Sequence, residues 1–330
     1  MDLKVLRICI VLEVLTIKKI EMNDYRMTFQ DGFEDFKIYC ITKNLSKDTI
    51  IHHQNVINTV FKFVNPNMLL EDITRLTVNQ FILGCKENLT IKDITLNTYV
   101  RSLRTVLYYF MNMGYTEKFN INAPKFDRQI ILTYSDEDLK KLLKKPNIKQ
   151  CDFVFYRNYV ICEFFMGVGC RTRSLINIKI ADLDFDNNVV YLNVTKNRKP
   201  LIIPLSATLR KELREYLRIR KGNNEDYLFC SAYGQQITRT RLYNSMQDYN
   251  KKHGVEIFGL HRWRHTFAKK YIVGGGSTLK LKEILGHSNL EMVTNYVCMF
   301  TEDLQKDFDL YNPLENFNKH TNMNDNMRRR

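Results

Sequence analysis

The stretch Leu260-His261-Arg262-Trp263-Arg264-His265-Thr266-Phe267-Ala268 reads as a helix with two unlike sides. Trp263 and Phe267, four apart, lie one above the other on a helix, and so do His261 and Arg264, three apart. The first pair reads as core. The second puts an imidazole and a guanidinium on one face where the helix opens, and His265 beside them reads as a packed structural histidine. Outward from this stretch, basic and imidazole side chains recur wherever the backbone turns. Upstream, Gly167-Val168-Gly169-Cys170-Arg171 is a glycine-punctuated turn that sets Arg171 at the start of a helix. Between the two, Thr195-Lys196-Asn197-Arg198-Lys199-Pro200 joins two strand-like runs, which puts Lys196 at a hairpin tip. Downstream, Leu285-Gly286-His287-Ser288 is a tight turn, and Tyr296 follows His287 by nine residues on the next helix. Singly each residue has a structural reading, Tyr296 being one of 18 tyrosines. Jointly and in order, two arginines, a lysine, two histidines and a tyrosine are a set that can hold a phosphodiester and attack it.

The whole chain agrees with a polyanionic partner. Its 330 residues suit two domains, and 44% hydrophobic with 26% charged residues excludes a wholly disordered chain, a collagen or a disulfide mini-protein. Lys plus Arg number 50 against 36 Asp plus Glu, a net charge of +14. Residues 1–130 carry a net +3, residues 131–300 a net +12 and the last thirty a net −1, so the polyanion should meet mainly the second part. The eight cysteines are scattered without a CxxC pair and read as free thiols of a reducing compartment, with Cys151, Cys162 and Cys298 inside apolar runs. There is no P-loop, GxGxxG, HExxH or EF-hand pattern. Adjacent His52 and His53 point apart on a helix. Asp182, Asp184 and Asp186 alternate on a strand and turn, where a solvated edge is expected rather than a cation site. No metal and no cofactor is expected.

The fold class expected is mainly α with a small antiparallel β-sheet. A helical block runs from Thr28 to Phe119, with Ser46 as an N-cap, Asn65-Pro66-Asn67 as a stop and an apolar stripe of Tyr99, Leu103, Val106, Leu107 and Phe110. Arg101, Arg104 and Tyr108 lie opposite that stripe, as a surface facing the polyanion or a merely solvated one. The polar stretch 122–133 reads as a linker. Ser135-Asp136-Glu137-Asp138 has the form of a capping box, an apolar helix follows over Asp152 to Met166, and KIADLDF, VVYLNV and LIIPL read as strands. The domains expected are therefore 28–121, helical, and 134–312, mixed, with an extension at 1–27 and a polar tail at 313–330. In the extension Glu13 splits the apolar run and no cleavage site follows, so it is neither a secretory signal nor a membrane span. An added amphipathic helix, a weak surface anchor, or sequence upstream of a true start at Met22 or Met27 remain as its readings.

The segments GVGCRTRSL, LHRWRHTFA and LGHSNLEMVTNY resemble the signature boxes of the tyrosine recombinases, the phage-integrase and Xer-type enzymes. The resemblance covers residues 130–310, and the helical block fits the family's core-binding domain in size and position. It implies a catalytic set of Arg171, Lys196, His261, Arg264, His287 and the nucleophile Tyr296. Lys199 and Pro204 fit the hairpin pattern, and Arg198 and Lys199 would meet backbone phosphates. Ser174 departs from the family, which often has an acid three residues after the first arginine to support its placement.

The chemistry implied needs no metal. Arginines present planar donor forks to the non-bridging oxygens as the pentacoordinate state forms, and His287 adds a hydrogen bond. A tyrosine of unperturbed pKa ~10 needs a base such as His261, and a lysine protonates the leaving 5′-hydroxyl. The 3′-phosphotyrosine product conserves the bond energy, so rejoining needs no ATP. The implied partners are double-stranded DNA bearing a specific recombination site and three further copies of the chain, four on two sites, with accessory proteins left open and no membrane. In the segment after Tyr296, Leu304, Phe308 and Leu310 would dock on a neighbouring copy or pack on their own domain. A cytoplasmic recombinase or integrase is expected. The alternative is a DNA-binding protein of the same fold without cleavage; a metal-dependent nuclease lacks its carboxylates, and a type IB topoisomerase fits the short helical domain less well.

Overall fold

A computed structural model describes residues 26–127, 132–195 and 199–286. The described chain divides at residues 129/130 into two compact units, each with its own core.

The first unit is all helical: α1 (Phe29–Thr42), α2 (Lys47–Val60), α3 (Arg75–Asn88) and α4 (Asp93–Met113), with a 3₁₀ turn at Leu70–Asp72. Its helix starts are written in side chains. Thr28 and Asp31 form a capping box on α1, and the Ser46 hydroxyl accepts from the Thr49 N–H at the start of α2. On α4 the apolar stripe is real: Leu103, Val106, Leu107 and Phe110 are buried and Tyr99 is half-buried. Polar contacts sit at the edge of this core. The Tyr109 and Tyr115 hydroxyls both donate to Asp35 Oδ2 (2.7 and 3.1 Å). His53 is buried, its Nδ1 2.7 Å from Ser102 Oγ and its ring edge-on to Phe36, so its environment is that of a core side chain.

Two expectations shift here. Helix α2 ends at Val60, before Asn65-Pro66-Asn67, and runs into a turn in which the N–H groups of Phe63 and Val64 both donate to Val60 O (2.9 Å each). Val64 is buried there, and the Phe63 carbonyl accepts from Gln80 Nε2 (2.9 Å). Ile121 is buried and Asn97 Nδ2 donates to Pro124 O (2.7 Å), so the chain stays packed on the first unit to Pro124, beyond the position where the linker was expected to begin.

The second unit is built around α6 (Phe153–Val168), which Asp152 caps through the Phe155 N–H (2.7 Å). Tyr156, Val160, Ile161, Cys162, Phe164, Phe165 and Val168 are all buried, the pattern of a helix enclosed on every side. Before it lies α5 (Asp136–Leu142), opened by the Ser135–Asp138 capping box; after it come α7 (Thr172–Leu175) and a three-stranded antiparallel sheet of β1 (Leu183–Asp184), β2 (Val189–Leu192) and β3 (Leu201–Pro204), in that order. Helices α8 (Ala207–Arg220), α9 (Arg239–Lys252), α10 (Leu260–Val273) and α11 (Thr278–Leu285) complete it, with α8, α9 and α10 packed on α6. The expected strand KIADLDF shrinks to two residues. Asp182 accepts from the Lys179 N–H (2.8 Å) and closes a 3₁₀ turn at Ile180–Asp182 instead. Asp184 likewise serves the backbone, accepting from the N–H groups of Asp186 and Asn187. The six described cysteines are free thiols, five of them buried. No helix among the described residues is long and apolar enough to cross a membrane.

Candidate active site

The site starts from α10, held on both sides by aromatic packing. Trp263 is wholly buried, its ring centroid 4.6 Å from that of Tyr134 and 6.4 Å from that of Phe165 on α6. Asn250 of α9, also wholly buried, donates through Nδ2 to Tyr134 Oη (3.1 Å) and to Ile257 O (3.0 Å). Thr266 accepts from the Tyr134 N–H (3.0 Å) while donating to Arg262 O (2.8 Å). The start of α10 is thus fixed by side chains whose partners are far away in sequence.

On the neighbouring face Arg264, 5% exposed, reaches across the unit. Its Nη1 donates to Gly169 O (3.0 Å) and its Nη2 to Leu285 O (2.6 Å). One guanidinium therefore joins the turn that precedes Arg171 to the turn that precedes His287. Charge-assisted hydrogen bonds of this kind contribute about 1.5–3 kcal/mol each. Lysine has no planar fork with which to span the two carbonyls. Two glycines make the approach feasible. Gly169 caps α6 at φ +63, and a Cβ there would lie 2.3 Å from the Phe267 ring of α10. Gly286 caps α11 at φ +59, where a Cβ would lie 2.6 Å from Leu201 Cδ1. Both positions need the left-handed region that glycine adopts without cost.

The electrostatics around this guanidinium are one-sided. Burial pushes the Cys170 thiol up to about 12, so it stays neutral beside Arg264. His265 is pushed down to about 4, first by burial and then by the positive fields of His261, Arg264 and Arg262. Burial, the larger cause, disfavours charge of either sign here, while the secondary fields of His261, Arg264 and Arg262 at His265 are positive.

Arg171 is the N-cap residue of α7, half-buried, as its place after the glycine turn predicts. His261 lies in the first turn of α10, exposed where Arg264 is buried, so their common face runs from solvent into the interior. It borders a cavity of about 360 Å³ with Arg239, Tyr243, Phe258 and Arg262 among its walls. Lys199 is exposed beside β3. Lys196, Arg198, His287, Tyr296, the segment of Leu304, Phe308 and Leu310, Cys9, Cys298 and residues 1–25 lie outside the described residues. In the first unit, Arg101 and Tyr108 are exposed and Arg104 half-buried along one side of α4, and Tyr108 Oη also accepts from the Ile121 N–H (3.5 Å).

Three participants were missed by residue type alone. Gly169 O and Leu285 O are backbone acceptors, which sequence does not mark. Ser174, 5% exposed, donates through Oγ to Val194 O (2.8 Å), two residues past the end of β2 and two before Lys196 in sequence. Its only sequence signal was that it stood where an acid was expected.

Comparison with known proteins bears directly on this arrangement. Residues 134–302 match the phage integrase family and residues 20–126 a phage integrase SAM-like domain. A tyrosine recombinase of Pseudothermotoga lettingae is 25% identical over 289 residues, covering 86% of this chain and 96% of that protein. The tyrosine recombinase XerC of Thermodesulfovibrio yellowstonii is 26% identical, covering 83% of this chain and 93% of its own length. Among solved structures, the Tn1549 transposon integrase in complex with a circular intermediate DNA superposes with a TM-score of 0.68 at 20% identity, covering 82% of this chain and 95% of the other. A lambda integrase dimer bound to a core site superposes with a TM-score of 0.65 at 17% identity, over 82% and 95% of the two chains. With one family matching across the second unit and its companion domain across the first, this chain belongs to the phage integrase family, the tyrosine recombinases, whose work is site-specific DNA recombination.

Proposed function

We propose that this chain cleaves and rejoins DNA at a specific site through a 3′-phosphotyrosine at Tyr296, without metal or nucleotide. The observation that carries the reading is the Arg264 guanidinium, which ties the carbonyls of Gly169, two residues before Arg171, and Leu285, two residues before His287 in sequence, to the helix of His261. Arg171 and His261 thus belong to segments that Arg264 itself connects, and this supports reading the three as parts of one site.

The steps follow from the residues. Arg171 and Arg264 meet the non-bridging oxygens of the scissile phosphate, and His287 adds a donor there as negative charge gathers in the transition state. His261, exposed at the helix start, takes the Tyr296 proton as its oxygen attacks phosphorus. Lys196 protonates the departing 5′ oxygen. Rejoining runs these steps in reverse on a new 5′-hydroxyl, so no outside energy source enters. Exchange between two duplexes requires four strand cleavages and hence four copies on two sites, each supplying one tyrosine. The chain works in the cytoplasm, on the DNA it rearranges.

The test is recombination between two DNA fragments carrying the sequences that flank the coding region, with EDTA present and ATP absent. Joined products are expected under those conditions. Tight, site-specific binding with no strand exchange and no cleavage would leave only a DNA-binding role.

A further inference from the structure

The β2–β3 ladder ends at the pair Leu192↔Leu201. Beyond it, three side-chain bonds hold the described residues at the hairpin neck. Asn193 Nδ2 donates to Asp182 Oδ1 (2.7 Å) and Thr195 Oγ1 to Lys199 O (2.7 Å), both in exposed surroundings. The third, from Ser174 Oγ to Val194 O, is made by a side chain that is 5% exposed. Val194 itself is 37% exposed, so the bond is shielded from water on its donor side, and losing it would cost the buried hydroxyl its partner. Ser174 stands on α7, three residues after the N-cap Arg171, so it lies about one turn along the same helix. One short helix thus carries an arginine of the site at its start and grips the neck of the hairpin near its end. A carboxylate at 174 would face the Val194 carbonyl with lone pairs against lone pairs, whereas serine brings the proton the contact needs.

We propose that Ser174 is a positioning residue for the leaving-group proton: through Val194 it fixes the chain beyond β2, two residues before Lys196, in register with the Arg171 helix. The proposal rests on the reading of Lys196 as the general acid. In that step the bond from Tyr296 Oη to phosphorus forms and the P–O5′ bond breaks. The bonding pair stays on O5′, which takes a proton from the Lys196 ammonium, while the tyrosine proton passes to His261. Loss of the Ser174 hydroxyl releases the neck, so proton delivery suffers and phosphate binding does not.

A change of leaving group isolates that effect. Cleavage is measured on two nicked DNA substrates that differ in one atom, with oxygen or sulfur bridging to the 5′ carbon. A thiolate, with a pKa of about 8.5 in its thiol form, departs without a proton donor. On the oxygen substrate Ser174→Ala should slow cleavage by about tenfold or more, and Ser174→Asp by more than that. On the sulfur substrate the Ser174→Ala loss should shrink to less than about threefold, with DNA affinity unchanged, and Ser174→Thr should restore cleavage on both. Should Ser174→Ala fail to fold, Ser174→Cys, with its weak donor, runs through the same comparison. An equal loss on both substrates, no loss on either, or a Ser174→Asp enzyme as fast as the parent would overturn the proposal. Lys196→Ala is the control: sulfur must rescue it. If it does not, Lys196 is not the acid, and the functional reading fails at that residue before Ser174 is judged.

Discussion

Helices α4 and α10 each carry two arginines close to an apolar stripe, yet the two helices put them to opposite use. On α4 the stripe is buried and the cations sit at its back, Arg101 exposed and Arg104 half-buried. The helix would keep its place without them. On α10 Arg264 is buried among the apolar side chains and holds the carbonyls of residues 95 positions upstream and 21 downstream. A solvated arginine gives a surface its charge. A buried, hydrogen-bonded one also fixes where other segments lie, so its loss should be felt in both structure and chemistry.

The largest effect that can break this contrast is at Arg264. Replacement by lysine keeps the charge and removes the fork, and should slow DNA cleavage by at least ~100-fold, the scale of losing one transition-state donor. It should also lower the thermal midpoint, since two carbonyls lose a charged donor. Scanning calorimetry beside single-turnover cleavage checks both. An Arg264→Lys enzyme with normal stability and normal cleavage would mean that the two carbonyl bonds organise nothing.

A smaller effect is expected from α4. Neutralising Arg101 and Arg104 together should leave the melting transition in place and weaken DNA binding. The slope of log affinity against log salt should fall by about 1 for each phosphate that an arginine no longer neutralises. Binding titrations over a range of salt concentrations give the slope. If it does not change, the α4 arginines only solvate the helix, and the first unit grips DNA elsewhere.

The smallest effect concerns protons, and both units share its sign. His265 titrates near 4 in the folded chain, and His53 is also shifted below the usual histidine range, by burial first and then by His52. The unfolded chain therefore binds more protons over the interval from about 6.5 down to 4, and stability rises with pH across it. The contribution is complete above the unfolded value and is lost as pH falls. Unfolding at pH 5 and pH 7 should show the difference, and His265→Gln should reduce it. A pH dependence unaltered by that substitution would remove His265 from the explanation.

The first unit was the more legible from sequence because its determinants are local. Spacing alone places Leu103, Val106, Leu107 and Phe110 in the core, and Thr28 and Ser46 mark helix starts by the hydrogen bonds their own hydroxyls make. Legibility failed where a periodic signal overran its element: α2 stops at Val60 although Val64 is buried, and Asp182 closed a local turn where an alternating run read as a strand. In the second unit the residue types of the site were readable, but not what they hold. Gly169 O and Leu285 O are anonymous backbone atoms, and nothing in the letter Arg at 264 says that it will bind two of them. Ser174 makes the same point with a side chain: its hydroxyl has a defined partner in Val194 O, while the family pattern pointed to a carboxylate.

The central claim is that DNA becomes linked to this chain at one tyrosine, and it can be read directly from a trapped adduct. The protein is incubated in EDTA with a nicked duplex that loses its 5′-hydroxyl fragment on cleavage, then digested with protease and nuclease, and the nucleotide-bearing peptide is sequenced by mass spectrometry. The account predicts a 3′-phosphate ester on Tyr296, absent from the Tyr296→Phe protein although that protein still binds DNA. A nucleotide on any other residue, or an adduct formed by Tyr296→Phe, would contradict it.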